Sequence, residues 1–105
     1  MLYIANGNVK PESLAEYQSW LDQHAKELQR LAPPGWTFQG IYTYELGLSR
    51  FNAMEMWEFD NWSDIDVWMA YENDAFDLLR EEKHAFYDKG EEAFVLNALA
   101  RLDGV

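Results

Sequence analysis

His24, His84, Glu55 and Tyr42 are the side chains in this sequence best suited by type and setting to move a proton or hold a ligand. Histidine titrates near neutrality and can serve as acid, base or ligand. His24 lies where Leu14, Tyr17, Leu21, Ala25, Leu28 and Leu31 recur at three- and four-residue steps, the spacing of one helix face. At roughly 100° per residue it falls within the arc of Leu14, Tyr17, Leu21 and Leu28, so it is expected to point inward. A buried imidazole needs a partner. Either a backbone carbonyl or carboxylate satisfies a core histidine there, or a ligand meets it in a pocket. His84 falls on the flank of a later apolar stripe, bordering a cleft or solvent.

Glu55 sits in a strand-like run whose alternation places it on one face with Tyr42, Tyr44, Trp57 and Phe59. A carboxylate among aromatic rings must find a donor or shift its pKa upward. Tyr42 is the expected donor, and the pair can orient or deprotonate an acidic small molecule. The competing use is an ion pair to Arg50, Arg101 or a cation of a second subunit. Trp36, Tyr44 and Trp57, with Tyr42, suit a flat or apolar ligand, and equally a packed sheet face.

Other chemistries find less support. Asp60, Asn61, Asp64 and Asp66 are close together but lack the spacing and glycine turn of a calcium loop, and helix capping accounts for them better. With two well-separated histidines and no cysteine, a structural zinc site, a disulfide and thiol catalysis are not expected. Phosphate-binding glycine loops and Gly-x-Ser-x-Gly elbows are absent from the sequence.

The elements that must position these residues can be read in order. Leu2 to Ala5, closed by Asn6-Gly7-Asn8, reads as a short buried strand. Pro11 and Glu12 suit the start of the helix that carries His24, and Pro33-Pro34-Gly35 must end it. Trp36 to Leu46 and Phe51 to Asp60 alternate as two strands joined through Gly47-Leu48-Ser49-Arg50, an antiparallel hairpin. A turn centred on Leu48 and Ser49 sets Tyr44 opposite Ala53, Tyr42 opposite Glu55, Gly40 opposite Trp57 and Phe38 opposite Phe59. Ser63 and Asp66 give a helix start, and Asn73-Asp74 a second cap that breaks the helical region. The stripe Phe76, Leu79, Phe86 and Tyr87 continues to about Lys89, with Gly90 as terminator. Ala93 to Leu102 suits either helix or strand and is read as a strand.

The chain has 105 residues, 49% hydrophobic and 16% aromatic, with no linker or repeat, and one domain over residues 1–105 is expected. A chain this short buries a modest fraction of its apolar surface alone, so some of its surplus aromatic surface is expected to line a subunit interface or a ligand cavity, with plain core packing the equal alternative. Nineteen acidic against eight basic side chains give a net charge of -11, which repels nucleic acid and anionic membranes. Twelve of the acids lie between Glu58 and Glu92, a segment whose cations are Arg80, Lys83 and Lys89. No apolar run is long enough to span a bilayer and the start lacks the pattern of a signal peptide, so a cytoplasmic location is expected.

Strand, helix, hairpin, helix and strand give the order βαββαβ, an α+β ferredoxin-like arrangement with an antiparallel sheet. Within it, Leu21-Asp22-Gln23-His24-Ala25, then Pro34-Gly35-Trp36, then a strand ending Met56-Trp57-Glu58-Phe59-Asp60-Asn61-Trp62 before Ser63-Asp64-Ile65-Asp66, resemble the NIPSNAP-like branch of the dimeric α/β-barrel superfamily. The resemblance spans nearly the whole chain. It implies two sheets packed face to face in a homodimer, with one ligand cleft per subunit between sheet and helices. Proteins of that superfamily include cofactor-free monooxygenases, haem-binding or haem-degrading proteins, isomerases and dehydratases, and fold alone does not choose among them.

The functional expectation is therefore a homodimer that binds a small apolar or aromatic molecule. If it is an enzyme, it carries out proton transfer or oxygenation with no cofactor. His24 would act as acid or base, Glu55 and Tyr42 would orient it or the substrate, and Trp36, Tyr44 and Trp57 would shape the cavity. Two rivals stand beside this reading: an interaction module without catalysis, and a haem-binding protein with His84 as axial ligand.

Overall fold

The structure is a computed structural model that describes residues 1–44, 50–88 and 92–97. Strand β1 (Leu2–Gly7) leads through a 3₁₀ turn at Pro11–Ser13 into helix α1 (Leu14–Leu31). Strands β2 (Thr37–Thr43) and β3 (Ala53–Glu58) follow, then helices α2 (Ser63–Ala70) and α3 (Asp74–His84), and strand β4 (Glu92–Leu96). The four strands form one antiparallel sheet in the order β2-β3-β1-β4. This is the α+β ferredoxin-like architecture expected from the order of elements. No helix among the described residues is long and apolar enough to cross a membrane.

Local chemistry sets most boundaries. Helix α1 closes at Ala32, which takes an extended conformation because Pro33 disfavours a helical residue before it. Gly35 then turns the chain at φ 88°, where a side chain would be strained. The break between α2 and α3 lies where Asn73 was expected to cap, and its side-chain oxygen accepts the Phe76 N–H at 2.9 Å. Ser63 does not cap α2, contrary to expectation; it is the first helical residue, and the Asp64 carboxylate instead accepts the N–H groups of Asp60 and Asn61 at 3.2 and 2.9 Å.

Two boundaries differ from the sequence reading. Helix α3 ends at His84 rather than near Lys89, because Phe86 and Tyr87 are drawn onto Tyr17, with ring centroids 5.0 and 5.3 Å away. Backbone bonds from Lys10 to Phe86 and from Asp88 to Asn8 fix that departure. The expected terminator Gly90, the hairpin residues 45–49, and 98–102 of the final run lie outside the described residues. Strand β1 runs on to Gly7, through the Asn6-Gly7 pair expected to turn.

The hairpin register also differs, by one residue or more. Tyr42 pairs with Met54, Ile41 with Glu55 and Thr43 with Ala53, and a bulge between Phe38 and Gly40 resets Phe38 opposite Trp57. The Tyr44 N–H donates to the Asn52 carbonyl, in keeping with this pairing, whose parity composition does not specify. At the bulge Gly40 adopts φ 130°, a region open essentially to glycine.

The helices cover one face of the sheet. Trp57, Phe59, Phe76, Leu28 and Trp36 form the larger core cluster, and Val9, Tyr17 and Ala53 a second one beneath the start of α1. Alternation sends Tyr3, Ala5, Glu55, Trp57 and Val95 toward the helices. It sends Leu2, Ile4, Met54, Met56, Phe94 and Leu96 to the opposite face, where Phe94 and Leu96 are 46% and 47% exposed.

Candidate functional site

Glu55 faces the helices from β3, and α3 carries Phe76, Arg80 and Lys83 at four- and three-residue steps on the face that meets the sheet. Lys83 is almost fully buried and forms an ion pair with Glu55. The other Glu55 oxygen accepts the Trp57 indole N–H at 2.9 Å. The carboxylate thus has a cation and a neutral donor, both needed to offset its removal from water. Close by, the Tyr17 and Tyr87 hydroxyls share a hydrogen bond of 2.8 Å. Burial first, then Tyr87 and the Glu55 charge, push the Tyr17 pKa far above the ordinary phenol value. A niche of about 20 Å³ opens beside the pair, bordered by Glu55, Lys83, His84, Tyr87 and the backbone of β1. That is room for about one water molecule.

A roomier space than this niche lies at the other end of the sheet-to-helix interface. A chamber of about 320 Å³ is walled by Tyr3 and Val95 of the sheet, by Trp36, by Ile65, Trp68 and Met69 of α2, and by Arg80 of α3. Its volume is at the lower end of the roughly 300–1,000 Å³ typical of small-molecule sites. Trp36 is fixed by its indole N–H, which donates to the Asp64 carbonyl at 2.8 Å, and by stacking on Phe59 at 4.4 Å. Trp68 meets Trp36 edge-on at 4.8 Å, and Tyr3 meets it at 6.3 Å. The guanidinium of Arg80 lies over the Trp68 ring at 5.4 Å. The walls therefore combine three aromatic rings and three aliphatic side chains with one cation.

The structure does not bring the three expected proton-transfer residues together. Tyr42, opposite Met54, lies on the far face of the sheet from Glu55, is 50% exposed, and donates its hydroxyl to the Gln39 carbonyl at 3.1 Å. The expected Tyr42–Glu55 pair is corrected to Lys83–Glu55, because the one-residue register difference exchanges faces. His24 is half-buried against the Trp20 ring at 4.8 Å and borders neither the niche nor the chamber. Of the expected ligand contacts, Trp36 lines the chamber, while Trp57 is sealed in the core at 1% exposure. Tyr44 is exposed and hydrogen-bonds Asn6 at 2.6 Å. His84 is exposed and borders the niche.

Sequence reasoning missed Lys83, Arg80, Trp68 and Tyr3 as site residues. A signal for the first two was present: cations four and seven positions after Phe76 lie within the apolar stripe of α3 rather than on its acidic face. Among the described residues, no group of three or more His, Asp or Glu is arranged to hold a metal ion.

No protein-family model matches the sequence, and no curated protein matches it. Solved structures do match in fold. A NIPSNAP family protein of unknown function from Agrobacterium tumefaciens superposes with a TM-score of 0.68 at 16% identity, covering 98% of this chain and 90% of that one. An antibiotic biosynthesis monooxygenase gives 0.62 at 14% identity, covering 95% of this chain and 100% of that one. A mutant of SnoaB, a cofactor-independent oxygenase from Streptomyces nogalater, gives 0.61 at 15% identity, covering 97% and 95%. The chain therefore has the ferredoxin-like fold seen in these NIPSNAP and antibiotic biosynthesis monooxygenase structures.

Proposed function

We propose that this protein is a homodimer in which each subunit binds a small planar aromatic molecule in the chamber between its sheet and helices. The observation that carries the reading is the chamber itself: about 320 Å³ bounded by Trp36, Trp68 and Tyr3. Ring surfaces held by packing and by the Trp36–Asp64 hydrogen bond favour a flat ligand, which can lie against them with little loss of side-chain freedom. Direct titration with naphthalene-type ligands, followed by tryptophan fluorescence, tests it. Trp68→Ala removes one wall and is expected to weaken binding by at least about tenfold, in line with the loss of an aromatic anchor. Unchanged affinity in that variant would move the ligand elsewhere.

Self-association is supported by the uncovered sheet face. Phe94 and Leu96, with the half-buried Met54 and Met56, line it, an apolar surface of the kind monomers rarely leave to water. A second sheet laid against it would bury that row without disturbing the helices. The expected solution mass is about twice 12.3 kDa, and Phe94→Asp is expected to halve it. A wild-type protein that sediments as a monomer at micromolar concentration would remove the dimer from the proposal.

A second reading, cofactor-independent oxygenation, is favoured by the chamber's apolar walls and by the activities named for two structural neighbours. Such chemistry needs a substrate that forms an electron-rich anion and a dry cavity that admits dioxygen. Oxygen uptake on adding a polyphenolic aromatic, with no metal, flavin or haem present, is its test. No uptake with a ligand shown to bind leaves the protein a binder without this activity. His24, Tyr42 and Glu55 carry no step in either reading.

A further inference from the structure

We infer that the chamber selects planar aromatic molecules that bear a carboxylate, with Arg80 as the residue that holds the acid group. The inference rests on the chamber being the ligand site. It starts from the pairing of cations. Of the three described arginines, Arg30 is paired with Glu27 and Arg50 with Glu92. Lys83, the next cation along α3, is paired with Glu55. Arg80 has no ion-pair partner among the described residues, although Asp77 stands one turn earlier on the same helix and the sequence holds nineteen acids.

Arg80 is instead half-buried, its guanidinium 5.4 Å from the Trp68 ring and 5.8 Å from the Phe76 ring. Ring faces offset part of the cost of drawing a guanidinium out of water, but they accept none of its N–H groups in the plane of the fork. A carboxylate fits that fork with two parallel charge-assisted bonds. A neutral ligand would cover the cation without replacing its water. A cationic ligand would be repelled, and would find the Trp68 face already occupied.

The net charge of -11 acts against anions at long range. Screening confines that field to about 8 Å at physiological ionic strength, whereas a half-buried cation inside the chamber acts at contact. The local charge therefore decides selectivity, and the acidic exterior mainly slows the approach of an anion.

The test compares naphthoate with naphthamide, a neutral analogue of nearly the same shape, by calorimetric or fluorescence titration of the full-length protein. The wild type is expected to bind the acid at least about tenfold more tightly than the amide. Arg80→Met keeps an unbranched stem against Trp68 and Phe76, and is expected to abolish the preference, so that acid and amide bind it equally. Arg80→Lys keeps the charge without the fork, and is expected to retain part of the preference. It also serves if the Met variant does not fold. Equal binding of acid and amide by the wild type, or a preference that survives loss of the charge, would overturn the inference and leave the chamber reading intact. Failure of the folded wild type to bind either compound would overturn both.

Discussion

Lys83 and Glu55, twenty-eight residues apart in sequence, form a buried ion pair that ties helix α3 to the centre of the sheet, with side chains only 6% and 13% exposed. The pair also holds the Trp57 indole through the second carboxylate oxygen. It fixes the position of α3, the helix that carries Arg80 to the chamber.

Lys83→Met leaves the Glu55 charge buried with one neutral donor and is expected to destabilise the fold by about 3–5 kcal/mol. Adding Glu55→Leu removes the stranded charge, and the double variant is expected to recover most of that loss. Urea unfolding of the three proteins measures it. A single variant no less stable than the double one would show that the pair is not what holds α3.

Tyr17 gives a pH dependence whose sign follows from its burial. Its phenol keeps its proton well above the ordinary value of 10.0 when folded, but ionises near that value once unfolded. Above pH 10 the unfolded state binds fewer protons, so stability present below that pH is lost as pH rises, by up to about 1.4 kcal/mol per pH unit. Tyr17→Phe is expected to remove this part of the slope in unfolding experiments at alkaline pH. An unaltered slope would mean that Tyr17 titrates freely in the fold.

Gly40 at the β2 bulge is expected to resist substitution for reasons of backbone conformation. An added Cβ would meet the Tyr42 ring at 3.5 Å, an ordinary contact, yet φ of 130° is strained for any residue with a side chain. Gly40→Ala is predicted to lower stability by about 1–3 kcal/mol. Gly35→Ala is expected to cost more, since its Cβ would also stand 2.9 Å from an Asp64 oxygen. Thermal unfolding that ranks Gly40→Ala with the wild type would contradict the bulge.

Asn73 separates α2 from α3 by capping the second helix. Asn73→Ala is expected to cost about 1 kcal/mol, and Asn73→Asp to retain most of the stability, because a carboxylate oxygen can accept the same Phe76 N–H. Equal losses in the two variants, read from urea midpoints, would assign the effect to something other than the cap.

Much of the fold was legible because it is written in local chemistry. The i, i+3, i+4 recurrence from Leu14 to Leu31, the prolines at 33 and 34, the alternation on either side of the hairpin and the Asn73 cap each act within a few residues. The placement of Trp36 at a ligand-sized space was compatible with its type, but so was a core position. The faces of β2 were not legible: Tyr42 and Glu55 appear paired under one loop parity and stand on opposite faces under the other. His24 fell within the inward arc of α1, yet the Trp20 ring beside it accounts for its half-burial.

By itself, the sequence determined the order of elements, the helix break and the antiparallel hairpin, since each depends on the spacing of neighbouring residue types. Only the tertiary structure decided which polar groups meet. The pairing of Thr43 with Ala53 and the bulge at Gly40 set which face each residue of β2 takes, and strand parity alternates with every residue. The Lys83–Glu55 pair and the chamber around Arg80 join side chains from elements far apart in the chain, so their geometry exists only once helices and sheet have packed.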